Sequence, residues 1–208
     1  MPRSSGSSHR WRQRQARDPY VERAVRDGWR SRAVYKLEEI DRREKLLRRD
    51  QVVVDLGAAP GSWSQYAAGR VGVGGRIVAI DLLPIDPLAG VEFLQADFST
   101  DESLAELRSL LPDARCDLVL SDIAPNLSGN AAIDMPKAMG LAELALDFAS
   151  EMLGDDGSFL VKLFQGEGFQ EFVAAGRSRF ETVKLVKPRA SRPQSREIYL
   201  LARHKRIV

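Results

Sequence analysis

The stretch VVVDLGAAPGSW, Val52 to Trp63, decides the fold. Three consecutive valines and a leucine suit a short strand buried on both faces. The Gly/Pro-rich run that follows reads as a turn, and a helix is expected from Ser62. Strand, tight turn and helix together form the unit of an α/β sheet. Outward from this unit the pattern repeats. RIVAID (76–81), VEFLQAD (91–97), CDLVLSD (116–122) and SFLVKLF (158–164) read as strands. Helical patterns fall at about 101–111, 136–153 and 168–177. TVKLVKP (182–188) and EIYLLAR (197–203) follow each other with no helix between them, so one should run antiparallel. Tyr20–Leu47 reads as helical with a break near Gly28. The expected fold is Rossmann-like α/β: a mostly parallel seven-stranded sheet, helices on both faces and one antiparallel strand near the C-terminus. Residues 20–208 should form one domain, with a helical region at 20–50, and residues 1–19 a flexible basic arm.

Composition narrows the class. A chain of 208 residues, 44% apolar and 29% charged, holds one sizeable core. Its one cysteine, Cys116, precludes an internal disulfide and reads as a small buried residue, which points to a reducing cytoplasm. His9 and His204 lie near opposite ends, and no cluster has metal-ligand spacing, so no metal is expected. No apolar run approaches the ~20 residues that span a bilayer, so no membrane is expected. No amphipathic surplus suggests a partner copy, so a monomer is expected. The net charge of +2 hides a pattern. Residues 1–50 and 184–208 are each strongly basic, and residues 51–183 strongly acidic. That suits a polyanion at the two ends and a different ligand in the middle, although a solvated tail and a surface strand would look the same.

In such sheets ligands bind beyond the carboxyl ends of the strands, at the topological switch point. The strand ends here carry Asp55, Asp81, Asp97 and Asp122. Gly57 and Gly61 would let the backbone approach a ligand, but their spacing is G-x-x-x-G, not the dinucleotide G-x-G-x-x-G. Asp81 is placed to accept ribose hydroxyls, and Asp97 to accept an adenine amino group. Four carboxylates would repel a dinucleotide phosphate and favour the sulfonium of S-adenosylmethionine (SAM). Any one of these acids could equally cap a helix.

Lys162 stands inside SFLVKLF. Three readings compete: it snorkels from an edge strand, pairs with a buried acid, or is desolvated enough to act as a base.

Five segments, RSRAVYKL (30–37), VVDLGAAPG (53–61), SDIAPN (121–126), VKLFQGEG (161–168) and SREIYL (195–200), closely resemble the FtsJ/RlmE family of ribosomal RNA ribose 2′-O-methyltransferases. The resemblance runs from about Arg10 to Arg203. It implies a SAM-dependent methyltransferase fold and a catalytic Lys-Asp-Lys-Glu tetrad at Lys36, Asp122, Lys162 and Glu197. It places SAM contacts at Gly61, Trp63, Asp81, Asp97 and Asp122. The implied substrate is a uridine in the A-loop of 23S rRNA, within the large ribosomal subunit. Another RNA, or a non-catalytic role in ribosome assembly, are the competing functions. One departure is Ser62, where the family often carries a second glycine. With the family in view, Lys162 reads as the base and Asp122 as its orienting partner. The basic ends then have a role on RNA phosphates: Arg10, Arg12, Arg14, Arg17, Arg30 and Arg32 on one side, Lys187, Arg189, Arg192 and Arg196 on the other. Trp11 and Trp29 are candidates for stacking on a base or packing on the core.

Overall fold

The computed structural model describes residues 18–125 and 129–206. Six α-helices and seven strands alternate along them: α1 (Pro19–Arg26), α2 (Val34–Glu44), β1 (Val52–Leu56), α3 (Ser62–Val71), β2 (Arg76–Asp81), β3 (Val91–Gln95), α4 (Asp101–Ser109), β4 (Cys116–Ser121), α5 (Ala131–Met152), β5 (Leu153–Phe164), α6 (Phe169–Arg179), β6 (Phe180–Val186) and β7 (Glu197–Lys205). The sheet order is β3-β2-β1-β4-β5-β7-β6. β7 runs antiparallel to both its neighbours, and the remaining pairs are parallel. The switch point falls between β1 and β4.

Side chains alternate between the two faces, and both faces are covered, which is why the strands read as unbroken apolar runs. Val54, Leu56, Val78, Val119 and Phe159 pack with Leu146 of α5 and Phe172 of α6. Val53, Ile77, Leu118, Leu160 and Tyr199 pack with Leu37 and Ile40 of α2 and with Trp63 and Ala67 of α3. Cys116 is buried and reduced, as its sequence neighbours suggest. No helix among the described residues is long and apolar enough to cross a membrane.

Local boundaries differ from expectation in physically simple ways. Asp18 caps α1, accepting the Tyr20 N–H, and Pro19 takes the first helical position, so helix begins inside the stretch assigned to the arm. The break near Gly28 is present, with φ +74 there. α2 stops at Glu44 because Lys45 turns left-handed. α5 begins five residues before Pro136, since Asn130 accepts the Ala132 N–H as a cap. Pro136 lies near its start and removes only one of its bonds.

Candidate active site

Beyond the carboxyl ends of β1, β2, β3 and β4 lies a cavity of about 300 Å³. Gly57, Asp81, Asp97, Asp122 and apolar residues including Ile80, Leu82, Phe98 and Ile123 line it. Gly57 is required by close approach: at φ +77, a Cβ would sit 2.7 Å from the Ile123 Cα. Asp81 accepts the N–H of Ala59 (2.9 Å) and of Leu83 (2.8 Å), which fixes its carboxylate against the turn. Asp97 accepts both N–H and O–H of Ser99, and these bonds hold its carboxyl below the ordinary range.

Asp55 departs from its expected place at this edge. It faces inward from mid-strand and is fully buried. Ser64 Oγ donates to its Oδ2 at 2.6 Å, and Oδ1 has no hydrogen-bond partner. Burial, with Asp122 and Asp81 adding repulsion, pushes its carboxyl up to about 7. Below that value the folded chain holds a proton that the unfolded chain releases above 3.8. The contribution of Asp55 to stability is therefore fully present below 3.8 and is lost as pH rises to about 7. Urea unfolding should show a loss as pH rises from 3.8 to about 7 that Asp55→Asn largely removes, with an upper bound of ~4 kcal/mol. An equal loss in both proteins would assign the effect elsewhere.

The tetrad assembles as two ion pairs with a tyrosine beside both. Lys162 is 8% exposed. Its Nζ lies 3.0 Å from Asp122 Oδ1 and donates to the Asp122 carbonyl at 2.6 Å. Lys36 Nζ lies 2.9 Å from each carboxylate oxygen of Glu197, and Ser191 Oγ donates to Oε1 at 2.8 Å. Between the pairs stands Tyr199, fully buried, whose hydroxyl donates to Asp122 Oδ1 at 2.8 Å. Burial first, then Asp122 and Glu197, raise that hydroxyl well above its usual range. For Asp122, burial opposes ionisation, but Lys162, Lys36 and the Tyr199 bond outweigh it and hold the carboxyl low. Tyr199 and Ser191 were missed from sequence. The signal for Tyr199 was its position two residues after Glu197 on one strand, hence on the same face. Among the described residues, no group of His, Cys, Asp and Glu is placed to hold a metal ion.

Gly61 and Trp63 do not line the cavity. Gly61 caps α3 at φ +96, and Trp63 is buried, its Nε1 donating to the Ala33 carbonyl at 2.9 Å and its ring 5.8 Å from that of Tyr199. Trp63 is one of several fastenings between residues 28–33 and the start of α3. Ser31 Oγ and Ser62 Oγ share a bond of 2.8 Å, so the departure at Ser62 gains a partner. Gln65 accepts the Arg30 N–H (3.1 Å) and donates to the Gly28 carbonyl (3.0 Å). Trp29 packs against Tyr66 rather than standing free.

Of the ten basic residues assigned to RNA, Arg10, Arg12, Arg14 and Arg17 lie outside the described residues. Arg30 and Arg32 are committed within the protein. The Arg30 guanidinium donates to the carbonyls of Pro60 (3.2 Å), Asp86 (2.7 Å) and Pro87 (3.0 Å). Arg32 pairs with Asp18 and donates to the Ala190 carbonyl. Lys187, Arg189 and Arg196 are exposed, although Lys187 donates to the Ser195 carbonyl. Arg192 is partly exposed, 3.4 Å from Asp18. A second cavity, lined by Arg32, Lys36, Arg192, Ser195 and Glu197, opens on the tetrad.

A family model described as FtsJ-like methyltransferase matches residues 29–205, the span that holds every described element of this site. The chain belongs to the FtsJ-like methyltransferase family. It is 59% identical over 192 residues to the ribosomal RNA large subunit methyltransferase E of Halorhodospira halophila, covering 92% of this chain and 91% of that one. The same-named protein of Azoarcus sp. strain BH72 is 56% identical, covering 94% and 95%. A solved structure from Plasmodium falciparum, described as a ribosomal RNA methyltransferase, superposes with a TM-score of 0.75 at 29% identity, covering 85% of this chain and 98% of that one. Fibrillarin from Methanococcus jannaschii, at 14% identity and a TM-score of 0.55, shares the fold alone, covering 77% and 69%.

FtsJ-like family membership makes the protein a methyltransferase and implies SAM as methyl donor. The cavity fits that donor: three carboxylates and apolar walls, with no basic side chain among its described lining. Arg30 sits beneath the turn that forms one wall, so its removal should act on the cofactor. Arg30→Ala is expected to weaken SAM binding about tenfold, the loss of ~1.4 kcal/mol, while the salt dependence of RNA binding stays unchanged. Calorimetric titration with SAM checks the first, and binding at several salt concentrations the second. Normal SAM affinity with a shallower salt slope would return Arg30 to the RNA.

Proposed function

We propose that the protein transfers the methyl group of SAM to the ribose 2′-hydroxyl of a uridine in the A-loop of 23S rRNA, within the assembled large subunit. The observation that carries this reading is Asp122. It lines the acidic cavity and also pairs with Lys162, so the donor site and the tetrad share a wall. The names of the relatives supply the large-subunit RNA.

SAM supplies an already activated methyl group, so the reading needs no metal. The acids of the cavity hold the donor: Asp81 its ribose, Asp97 its adenine, and Asp122 the neighbourhood of the sulfonium. Gly61 and Trp63 serve indirectly, by shaping the turn at Gly57–Pro60. The nucleophile is a hydroxyl that must lose its proton. Lys162 is the base. Two of its three ammonium positions are occupied by Asp122, which leaves one for the substrate hydroxyl. Lys162, its own extra proton having passed to solvent, accepts the 2′-hydroxyl proton as the new C–O bond forms. Lys36 and Glu197 position the ribose, with Tyr199 fixing Asp122 beside them. Exposed Arg189, Arg196 and Lys187, with the partly exposed Arg192, hold phosphates, and the arginines of residues 1–17 extend that grip. The enzyme is read as a cytoplasmic monomer.

Incubation with labelled SAM and undermethylated large subunits, followed by mapping of the product, tests the proposal. The expected result is one 2′-O-methyluridine in the A-loop, with RNA affinity that falls steeply as salt rises and SAM affinity that barely changes. Label in another RNA, or none in any, would overturn it.

A further inference from the structure

We infer that the cavity between the start of α1 and the β6–β7 loop is a subsite for a single-stranded nucleotide flanking the methylated one. The inference rests on the RNA reading above and names a part of the substrate that reading leaves open. The cavity measures about 380 Å³, within the ~300–1,000 Å³ range of small-ligand sites. It shares Arg32 and Arg192 with the cavity that opens on Lys36 and Glu197. A strand with its target ribose at the tetrad therefore enters this cavity with its next nucleotide.

The walls have the chemistry of a nucleotide. Tyr20, Pro19 and Pro193 provide flat apolar surface for a base, and the Gln194 amide offers both a donor and an acceptor to a base edge. Arg189 and Arg192 bring positive charge for the adjoining phosphate. Arg32 plays a different part. Its contacts with Asp18 and with the Ala190 carbonyl, 158 positions further along the sequence from Arg32, bind the α1 start to the β6–β7 loop. Asp18 also accepts the Tyr20 N–H and lies 3.4 Å from Arg192. The walls are thus tied together without RNA, which lowers the ordering cost of binding. The lining holds three arginines against one aspartate, so an anion is favoured there.

Gln194 is exposed and lies outside the tetrad and its contacts. Replacing it by a photoreactive benzophenone, Gln194→p-benzoylphenylalanine, tests the site in the whole protein bound to undermethylated large subunits. Irradiation should give a crosslink that stops primer extension within one or two nucleotides of the methylated position. A second variant, Pro193→Ala with Gln194→Ala, removes one apolar wall and the base-edge contact, and should raise the KM for subunits roughly tenfold while leaving kcat and the KM for SAM unchanged. A loop of merely structural importance would lower kcat or weaken SAM binding as well. Crosslinks only to distant nucleotides, or an unchanged KM for subunits, overturn the subsite while methylation by the unsubstituted protein stands. Absence of methylation by the unsubstituted protein overturns the underlying reading instead.

Discussion

Lys162→Ala is expected to lower single-turnover methyl transfer by about 10³-fold, in the range attributed to a positioned general base. SAM binding should be nearly unchanged, because Lys162 does not line the acidic cavity. Alanine alone would not separate proton transfer from the ion pair, since it also leaves Asp122 without its cation. Lys162→Arg makes the separation. Arginine can face Asp122 as a cation but does not deprotonate in proteins. If Lys162 acts as base, arginine should be about as inactive as alanine, with the stability of the protein largely kept. Rapid-quench methylation of large subunits reads the rate and urea unfolding the stability. Near-normal transfer by either variant would remove Lys162 from the chemistry and leave it a structural ion-pair partner.

Asp122→Asn should strike both halves of the site. The side chain is nearly isosteric, so shape is preserved and charge is what changes. SAM affinity should fall about tenfold as the acidic cavity loses one of its three carboxylates, a loss of ~1.4 kcal/mol. Transfer should fall by a further 10²-fold or more, because Lys162 and Tyr199 lose the anionic acceptor that orients them. Stability at neutral pH should fall by about 3 kcal/mol, the lower end for removing one partner of a buried pair. Lys162 and Asp122 are 7% and 16% exposed, so solvent screens this pair little. The pH dependence has a definite sign. Asp122 is held below the ordinary carboxylate value of 3.8, so its contribution is present above that value and is lost as pH falls through the lower folded one. The asparagine variant should lack that acid limb. Unaltered SAM affinity together with unaltered stability would mean that Asp122 is peripheral.

The elements of this fold were legible because their signals are local. A run such as VVVDL announces a doubly buried strand, and the missing helix between 188 and 197 foretold the antiparallel β7. Boundaries were less legible where one cap decides them, as Asn130 does for α5. At the site, the tetrad was named through resemblance, and the spatial arrangement brings its members together in pairs 161 and 40 positions apart. The individual fates of like residues were not legible. Asp55 and Asp122 both lie near the ends of apolar runs, yet one faces the core with an unpartnered oxygen and the other joins the donor cavity to Lys162. Arg30 and Arg189 both looked like RNA contacts, yet the first is spent on three backbone carbonyls and the second is exposed.

The sequence by itself determined the strand and helix order, the turn at Gly57–Gly61 and the kinds of residue at each strand end, because periodicity and turn chemistry act over a few neighbouring residues. Only the tertiary structure decided which carboxylate is buried, which arginine is already bonded, and that Tyr199 is bonded to Asp122 with Lys36 beside its ring. Burial and hydrogen bonding are set by segments that meet across the fold. A charge learns its environment only when those segments arrive.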